Sequence, residues 1–443
     1  MLLSGWGRYP VCESELKEPG SLVELQRQQA ERAGFVARGN GRAYGDAAIG
    51  SVYTTGMKRL DRMRAFEPET GRLTVEAGVL LSDIIACFLP RGFFPPVVPG
   101  TKFVTVGGMI AADVHGKNHH RAGGFGEHVE RLSVLLPSGE ALTCSRDENA
   151  DFFFATVGGM GLTGTILEAT FRLTHVQSSW IRQEVVVAPN LDAAMAALSA
   201  GDKATYSVAW IDCLARGASL GRSLVYLGEH ATSEEATLKK PDQPLFAMSR
   251  RSRLSVPMDF PNWALNPWSM GAFNATYFRR GVAKAGTPFL SHWDGYFFPL
   301  DAIGDWNRIY GRRGFLQHQC VIPLESSREV LGEILERVSA RGTASFLAVL
   351  KKLGPAKGQM SFPMPGFTLT LDFAVTDSIF PFLDEIDAIV TRSHGRIYLA
   401  KDARQSRATF EAGYPGLGNF RAFRRTIDPH EQIKSQLSQR LGI

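Results

Sequence analysis

Cysteine is scarce in this chain, and the few cysteines follow no recognisable pattern. Only five of the 443 residues are cysteines, and no two of them stand at a C-x-x-C spacing. They are Cys12, Cys87, Cys144, Cys213 and Cys320, which are odd in number and far apart in the sequence. This pattern excludes a disulfide framework and a cysteine-rich zinc site, and it favours reduced thiols in a cytoplasmic protein.

Long apolar runs are absent as well. No segment approaches the roughly 18 consecutive apolar residues that a membrane span needs. Residues 1–8 have neither the basic start nor the apolar stretch of a secretory signal peptide. The sequence therefore predicts a cytoplasmic protein whose contact with a membrane is at most peripheral.

Neither sign of charge is in large excess. The net charge is +5 and the pI is about 8.9, with the basic residues dispersed along the chain. A nucleic-acid-binding protein would show a concentrated basic stripe, so we expect no nucleic-acid partner. The mild positive bias fits an anionic ligand and an anionic membrane surface equally well. A chain of 443 residues is too long for one ordinary core, which predicts two lobes.

Glycine, in contrast, is plentiful, and much of it lies in two loops that each follow a strand-like run. The first loop covers residues 37–47 and contains Arg42 and a Tyr-Gly-Asp sequence; the second covers residues 99–108. Because glycine has no Cβ, backbone amides in such loops can approach a pyrophosphate closely. One such loop is equally well explained as a tight turn, whereas two in one domain indicate a dinucleotide-binding cradle.

The pattern of predicted elements changes near residue 178. Over residues 1–178, helices and strands alternate with glycine-rich turns, which predicts an α+β lobe. Ser21 and Glu24 form a capping-box pattern that predicts the start of a helix, and residues 132–145 predict a hairpin around the turn at 137–139. Over residues 179–395 the glycine loops thin out, and the apolar periodicity predicts long helices at 326–340 and 379–393. The tail, residues 396–443, returns to a strand and a loop and ends in an amphipathic helix.

Residues 250–273 form an unusual segment that combines several arginines with two tryptophans. Prolines interrupt it, so we expect a mobile lid rather than a helix. Its arginines and tryptophans fit contact with a phosphate and a lipid tail at a membrane surface. They fit an ordinary, partly buried loop equally well.

Short motifs follow one another over nearly the whole chain, at residues 5–8, 38–42, 106–108, 115–120, 155–159, 306–308, 315–319, 361–366 and 400–404. In this order they resemble the FAD flavoproteins of the vanillyl-alcohol-oxidase, or PCMH, type. Within that family the sequence is similar to the decaprenylphosphoryl-β-D-ribose 2'-oxidases. The glycine loops are typical of the whole family, whereas the string HGKNHH at 115–120 is typical of this oxidase group.

The resemblance implies a fold and a reaction. The fold would be α+β, with a PCMH-type FAD-binding domain made of residues 1–178 and 396–443, and an inserted substrate domain of antiparallel sheet and helices at residues 179–395. The reaction would oxidise the 2'-hydroxyl of a polyprenyl-phospho-β-D-ribofuranose to a ketone while FAD is reduced. A separate NADH-dependent reductase would then complete the epimerisation to the arabinose form, an arabinan precursor for the cell wall.

The resemblance also implies how FAD is held. In relatives with covalent FAD, a histidine of the first loop attacks the flavin; Arg42 stands at that position here, which predicts non-covalent FAD. Backbone amides of both glycine loops would bind the diphosphate, and Tyr398 would pack on the flavin. The residues expected to bind the cofactor are Ala37, Arg38, Gly39, Asn40, Gly41, Arg42, Ala43, Tyr44, Gly45, Asp46, Ala47, Gly100, Thr105, Val106, Gly107, Gly108, Ala112, Asp113, Val114, His115, Ile166 and Tyr398.

Lys401 is the principal candidate for catalysis. Oxidation of an alcohol by hydride loss places negative charge on the flavin and requires removal of the hydroxyl proton, and a fixed lysine can assist either event. A lone lysine after a strand is ordinarily a solvated surface charge, but the sequence around Tyr398 and Lys401 resembles the catalytic region of the family. His115 and Tyr44 complete the predicted catalytic set.

The three histidines of the HGKNHH string could suggest a metal site. No Cys, Asp or Glu lies within the string at ligand spacing, and Gly116 and Asn118 favour a loop that turns its backbone to a ligand. We therefore expect no metal. By the resemblance, Lys117 of this string faces the substrate.

The predicted substrate-binding residues are Lys117, Gln317, Gln319, Lys351 and Thr370. Gln317 and Gln319 are two apart on a strand and so share a face, although a polar face turned to water would show the same pattern. Thr370 stands where mycobacterial relatives carry a cysteine. Phe297 and Phe298 replace a more polar pair, which leaves the exact substrate open.

Two other functions remain open from the sequence. The same flavin could oxidise a free alditol, sugar or aldonolactone with oxygen as the acceptor. Alternatively, the chain could bind flavin as a subunit without catalysing a reaction of its own.

Overall fold

The computed structural model describes residues 1–249, 254–261, 265–342, 345 and 348–443. Its strands are β1 (Leu2–Ser4), β2 (Val11–Glu13), β3 (Glu15–Lys17), β4 (Phe35–Arg38), β5 (Tyr53–Gly56), β6 (Met63–Glu67), β7 (Arg72–Glu76), β8 (Phe93–Phe94), β9 (Val129–Leu135), β10 (Ala141–Ser145), β11 (Thr165–Arg172), β12 (Thr174–His175), β13 (Trp180–Ala188), β14 (Tyr206–Ile211), β15 (Ser223–His230), β16 (Leu254–Ser255), β17 (Phe289–His292), β18 (Ile303–Gly304), β19 (Phe315–Pro323), β20 (Ala348–Leu353), β21 (Gly366–Ala374) and β22 (Arg396–Ile397). Its α-helices are α1 (Leu22–Glu31), α2 (Leu81–Phe88), α3 (Val106–Ala111), α4 (His119–Ala122), α5 (Ala150–Thr156), α6 (Leu191–Ala200), α7 (Ser233–Lys239), α8 (Pro267–Val282), α9 (Trp293–Phe297), α10 (Ser327–Arg341), α11 (Ile379–Arg392), α12 (Arg407–Gly413), α13 (Leu417–Ile427) and α14 (Gln436–Leu441).

The amino-terminal part builds two larger sheets, besides the two-stranded pairs β1-β2 and β12-β8. One is antiparallel with the strand order β10-β9-β11-β7-β6, and the other is parallel with the order β3-β5-β4. Residues 132–145 form the predicted hairpin, because β9 and β10 pair antiparallel around a turn in which Gly139 has a φ of 87°. Helix α1 begins where its capping residue predicts, since the Ser21 hydroxyl accepts a hydrogen bond from the Glu24 amide.

The middle of the chain builds one large antiparallel sheet with the order β17-β13-β15-β14-β20-β21-β19-β22. Helices α6, α10 and α11 cover one of its faces, where Leu198, Leu331, Ile334, Leu383 and Ile386 form a buried core. This arrangement of antiparallel sheet and helices agrees with the expected substrate domain. The exact domain boundaries stay a prediction. The edge strand β22 begins at Arg396, the first residue of the expected tail, although it belongs to the large sheet.

The tail packs back on the amino-terminal part. Phe410, Phe420 and Leu437 from α12, α13 and α14 share a core with Phe35 of β4 and Tyr53 of β5. The backbone also joins the two regions, because the Gly34 amide donates to the Gln432 carbonyl at 2.7 Å. The first lobe therefore consists of both ends of the chain, and the fold class is α+β, as expected.

The segment from 250 to 273 differs from the prediction. Its Arg250, Arg251, Arg253 and Trp263 lie outside the described residues. Residues 254–261 are held against the first lobe, for example by a 2.6 Å ion pair between Asp259 and Arg8. From Pro267 onward the chain is helical, contrary to our expectation of a lid without helix.

The reason for this error is the position of one proline. Pro267 is the first residue of α8, where its missing amide hydrogen has no intrahelical partner to lose. Asn266 caps the helix by accepting hydrogen bonds from the amides of Trp268 and Ser269. This proline therefore starts a helix instead of interrupting one. No helix among the described residues is long and apolar enough to cross a membrane.

One arginine ties the tail to both regions that come before it. Arg440 of α14 binds the Asp46 carboxylate through two contacts of 3.0 Å and the Asp402 carboxylate at 2.8 Å. Burial raises the pKa of Asp46. At Asp402 burial acts in the same direction, but Arg440 and two backbone amides outweigh it and hold the pKa below its usual value. The three side chains form a clamp between the first glycine loop, the turn after β22 and the last helix.

Replacing Arg440 should destabilise the fold strongly. In Arg440→Ala the carboxylates of Asp46 and Asp402 stay buried without their cation, which costs about 3–5 kcal/mol for a broken buried pair. Urea unfolding followed by circular dichroism measures the loss. Arg425→Ala, on the exposed side of α13, is the matched control and should lose less than about 0.5 kcal/mol. Equal stability of the two variants would contradict the clamp.

Candidate functional site

A cavity of about 460 Å³ lies between the first lobe and the large sheet. Its walls come from the two glycine loops, the segment 111–117, the turn that contains Lys401, and the face of the sheet opposite its helices. Seventeen of the residues expected to bind a cofactor line it: Ala37, Gly39, Asn40, Gly41, Arg42, Ala43, Tyr44, Ala47, Gly100, Thr105, Gly107, Gly108, Ala112, Val114, His115, Ile166 and Tyr398.

The first glycine loop offers unpaired backbone donors to this cavity. Among the described residues, the amides of Asn40, Gly41, Arg42 and Ala43 donate to no other group. Glycine is required at Gly39, because a Cβ there would stand 2.1 Å from the Thr105 hydroxyl oxygen. Gly39 thus lets the loop pack closely against Thr105, and the array of free amides that follows it suits a diphosphate.

The second glycine loop differs from the prediction. The amides of Val106 and Gly107 donate to the carbonyls of Val79 and Ala77 at 2.9 and 2.8 Å, and the Gly108 amide donates to the Thr105 hydroxyl. These three amides are thus not free to bind a diphosphate. The physical reason is that the loop opens helix α3, whose first turn is held on the preceding strand region. Its glycines instead allow close packing, since a Cβ on Gly107 would lie 2.9 Å from the Ala77 side chain.

Five of the residues predicted to bind the cofactor do not line the cavity: Arg38, Gly45, Asp46, Val106 and Asp113. Their contacts are with protein. The Arg38 guanidinium donates to the Ser4 and Ala48 carbonyls, and the Val106 side chain is fully buried in the core. The Asp113 carboxylate accepts from the Ser361 hydroxyl at 2.6 Å, while Gly45 packs directly on the Asp402 carbonyl. These residues therefore hold the loops in place through contacts with other protein groups and do not face the cavity.

Arg42 is held by aromatic rings. Its guanidinium lies 3.9 Å from the ring centroid of Trp6 and 5.3 Å from that of Phe103. Burial lowers the pKa of this arginine, partly offset by Asp301. Trp6 was not predicted as a site residue, although its Gly-Trp-Gly-Arg motif was visible in the sequence.

The three histidines of the HGKNHH string bind three different parts of the chain. Nε2 of His115 lies 2.9 Å from the Gln319 side-chain amide, Nδ1 of His119 accepts from the Gly354 amide, and the His120 ring contacts the Ala204 carbonyl. Diverging contacts of this kind fix the loop against β20 and β14. They give the histidines a structural explanation that involves no metal.

His115 is neutral, and one of its ring nitrogens has no hydrogen-bond partner among the described residues. Burial, and then Lys351, lowers the pKa of His115 well below its ordinary value. Because the Gln319 amide can only donate, Nε2 of His115 is the acceptor and the ring proton lies on Nδ1. That Nδ1 is buried and has no partner among the described residues. Phe362 and Tyr398 hold the ring, with centroid distances of 5.5 and 5.2 Å.

Lys401 stands over Tyr44. Its Nζ lies 3.7 Å from the centre of the Tyr44 ring. Burial lowers the pKa of Lys401 to about 7, with Asp372 acting in the opposite direction and Lys351 adding to the decrease. The pKa of Tyr44 is raised well above its ordinary value by burial and then by Asp372. Near neutral pH the site therefore combines a lysine that can release or accept a proton with a tyrosine that stays protonated.

Two further lysines reach into the cavity. Burial lowers the pKa of Lys351 to about 8, and burial together with Lys351 lowers that of Lys117 to about 7. Lys117 donates to the Tyr296 carbonyl and lies 4.4 Å from the centre of the Tyr296 ring. None of the three lysines forms a salt bridge within the described part of the chain. Such a group of uncompensated cations attracts an anionic ligand.

The predicted glutamines and threonine lie together on the sheet. Gln317 and Gln319 of β19 pair with Asp372 and Thr370 of β21, and both glutamines and Thr370 line the cavity. Asp372, which the sequence analysis missed, accepts a hydrogen bond from Gln317 at 2.6 Å. Burial raises its pKa to about 7, against the effects of Gln317 and Lys401. The alternation Thr-Leu-Thr-Leu-Asp at 368–372 was the signal that could have revealed it.

Comparisons with known proteins agree with this geometry. Residues 21–145 match the family described as FAD binding domain. The chain is 37% identical to the decaprenylphosphoryl-beta-D-ribose oxidase of Mycolicibacterium smegmatis, over 100% of this chain and 97% of that protein. The L-gulonolactone oxidase of Bos taurus is 30% identical over 39% of this chain and 41% of its own length, and the cytokinin dehydrogenase 7 of Oryza sativa is 31% identical over 39% and 34%.

Fold, site and similarity thus define an FAD-dependent oxidoreductase of the PCMH type. The chain belongs to the family of the decaprenylphosphoryl-β-D-ribose oxidases, because the similarity extends over the whole length of both proteins. The family resemblance and the fold class predicted from the sequence are confirmed. The roles of the individual site residues stay predictions.

The enclosed lysines should make folding stability depend on pH. A lysine with a lowered pKa binds its proton more weakly in the folded chain than in the unfolded one, so the free energy of unfolding rises with pH between the two pKa values. The slope is at most about 1.4 kcal/mol per pH unit for each lysine. For Lys351, with a pKa of about 8 against an ordinary 10.5, this window lies above pH 8.

Lys351→Met should therefore lower the slope of unfolding free energy against pH by up to about 1.4 kcal/mol per unit. The measurement is urea unfolding at a series of pH values in this window. Lys357→Met, at an exposed lysine paired with Glu127, supplies the baseline for losing a surface charge. An identical slope in the wild-type chain and Lys351→Met would show that Lys351 is not held in an environment that disfavours its charge.

Proposed function

We propose that the chain oxidises the 2'-hydroxyl of a polyprenyl-phospho-β-D-ribofuranose to the 2'-ketone, the first half of an epimerisation to the arabinose form. The observation that carries this proposal is the extent of similarity. The ribose oxidase matches the chain from end to end, whereas the lactone oxidase matches only 39% of it. A shared flavin domain alone would give the shorter match, so the full match supports a shared substrate class.

FAD fits the cavity as a non-covalent cofactor. The free amides of residues 40–43 would hold its diphosphate, and Tyr398 and His115 would contact its ring system. FAD supplies the acceptor for the hydride that leaves the sugar carbon. Among the described residues the cavity wall contains no cysteine, and its one histidine, His115, has Nε2 already bonded to Gln319. With Arg42 where relatives with covalent FAD carry the linking histidine, the first loop offers no residue for such a link.

Lys401 is the proposed base. With a pKa of about 7, its Nζ is partly uncharged at neutral pH and can take the proton of the 2'-hydroxyl as the hydride leaves. Tyr44 keeps its proton and supports the lysine through its ring. The unpartnered Nδ1–H of His115 would donate to a sugar oxygen and orient the ring.

The remaining predicted residues suit the sugar and the phosphate. Gln317, Gln319 and Thr370 offer amide and hydroxyl groups beside Lys401, as a ribose requires. Lys351, on the sheet, and Lys117, in the segment 111–117, also line the cavity, and neither has a carboxylate partner among the described residues. We propose that they bind the phosphate of the donor, which would restore the proton that burial makes them lose.

The proposal includes a partner and a membrane. Because the ketone is an intermediate, an NADH-dependent reductase would complete the epimerisation. A lipid-linked donor also implies peripheral contact with a bilayer. Met258 and Phe260 are 64% and 38% exposed and lie beside Arg308, Arg312 and Arg313, an apolar and basic surface of the kind that binds anionic lipids.

A second candidate is oxidation of a free alditol, sugar or aldonolactone with oxygen as the acceptor. The similarity to the lactone oxidases favours it. A free sugar gives Lys351 and Lys117 no anion to bind, so the two candidates differ in what these lysines should do.

Anaerobic reduction of the flavin tests the proposed reaction. Mixing the holoenzyme with farnesyl-phospho-β-D-ribofuranose should bleach the flavin absorbance. In Lys401→Met the rate should fall by about 100-fold or more because the proton acceptor is lost. Lys357→Met is the surface control and should match the wild type. Unchanged bleaching in Lys401→Met would remove Lys401 from the mechanism, and no bleaching by any sugar donor would leave flavin binding without catalysis.

The same preparations show whether FAD is covalently attached to the chain. Acid precipitation followed by filtration should release all FAD from the wild-type chain and from Lys401→Met. A yellow precipitate that retains the flavin would contradict non-covalent binding.

Lys351→Met separates the two candidate substrates. It should raise KM for the phosphorylated donor by about tenfold or more, since a charge-assisted bond to phosphate is lost, and change kcat much less. Turnover of ribose, arabinitol or gulonolactone should be weak and indifferent to this substitution. Rapid oxidation of a free sugar with peroxide formation, unaffected in Lys351→Met, would favour the second candidate.

A further inference from the structure

The cavity wall changes character along the large sheet. Gln317, Gln319 and Thr370 belong to β19 and β21, Lys351 follows on β20, and Trp210 and Tyr226 line the cavity from β14 and β15. Beyond them, on β13, Gln183 also lines the cavity, and its side-chain oxygen accepts a hydrogen bond from the Ser291 hydroxyl at 2.9 Å. These strands are consecutive neighbours in the order β15-β14-β20-β21-β19. At about 4.8 Å per strand, Gln319 and Tyr226 are roughly 19 Å apart across the sheet.

Near this end of the sheet lies a group of three aromatic rings. Tyr277 of α8 covers Trp210, with ring centroids 4.8 Å apart, and all three rings line the cavity. The hydroxyls of Tyr226 and Tyr277 bond to each other at 3.0 Å. This bond occupies the Tyr226 hydroxyl, and most of the surface that the three rings present is apolar carbon.

This aromatic end opens outward. Trp210 is 8% exposed, whereas Tyr277 is 36% exposed at the edge of the cavity. A ligand that lies on these rings can therefore continue out of the protein. Such an exit suits a long flexible chain and does not suit a compact apolar group, which a closed pocket would hold better.

We propose that Trp210, Tyr226 and Tyr277 form a subsite for the first isoprene units of the lipid chain. This inference rests on the proposed function, and it names where the donor lies. The order of groups on the wall, from Lys401 through Lys351 to the aromatic rings, is the order of 2'-hydroxyl, phosphate and prenyl chain in the donor. Burial of apolar carbon on the rings supplies affinity that grows with chain length until the subsite is filled.

Binding of prenyl phosphates without ribose tests the subsite. The probes are dimethylallyl, geranyl and farnesyl phosphate, titrated into the FAD-loaded enzyme by isothermal titration calorimetry. For the wild type, affinity should rise by at least about tenfold from the shortest chain to the longest. In Tyr277→Ala this gain should fall below about threefold, with affinity for dimethylallyl phosphate retained.

Two further variants sharpen the result. Tyr277→Phe keeps the ring and should keep the gain, so its loss there would overturn the proposal by showing that the hydroxyl pair matters. Trp268→Ala removes an aromatic residue of the same helix that is 88% exposed and does not line the cavity, and it should also keep the gain. Equal affinity of the wild type for all three probes, or an equal loss for all three in Tyr277→Ala, would overturn the subsite.

Failure of the subsite and failure of the proposed function are distinguishable because binding is measured without turnover. Chain-length dependence without oxidation of a ribose donor would contradict the reaction and leave the lipid subsite standing. Oxidation without chain-length dependence would contradict the subsite alone.

Discussion

The position of Lys401 depends on one partly buried guanidinium, that of Arg440, which binds two buried carboxylates. Arg440 binds Asp402, the residue next to Lys401, and Asp46, which follows Tyr44 by two residues. The Tyr44 amide also donates to the Ala400 carbonyl at 2.9 Å. Tyr44 and Lys401 are remote in sequence, yet these bonds hold the lysine on the tyrosine ring. The last helix and this backbone bond together fix the glycine loop relative to the lysine turn.

The electrostatics of the cavity oppose folding and favour a ligand. Burial lowers the pKa values of Lys117, Lys351 and Lys401 and raises that of Asp372, so each group resists its charged state. Hydrophobic residues would be more stable in these places. An anion in the cavity reverses the penalty for the lysines, because it stabilises their protonated forms. A phosphate would thus bind together with protons, whereas a neutral sugar would leave the penalty in place.

The sequence predicted those features that are set by local chemistry. The cap at Ser21, the hairpin at 132–145 and the shared face of Gln317 and Gln319 follow from capping, turn residues and strand alternation. At α8 the prediction failed because a local signal was misread: Asn266 caps the helix, and Pro267 is its first residue. At the second glycine loop it failed because distant packing decides, since the amides of that loop are occupied by carbonyls of residues 77 and 79. The sequence analysis missed Asp372 because this residue acts through its interactions with Gln317 and Lys401, which belong to other elements of the fold.

The division of the molecule explains why its relatives resemble it to such different extents. A glycine loop that offers free amides to a diphosphate suits any FAD enzyme, so this part can be shared with lactone oxidases and cytokinin dehydrogenases. In our proposal the choice of substrate lies on the large sheet, where Gln319, Lys351 and Trp210 stand on different strands. Strand alternation directs all three into one cavity, and strand order spaces them as sugar, phosphate and chain would be spaced. A relative that retains the ribose donor must therefore retain the sheet as well as the loops, which is the pattern of a match along the entire chain.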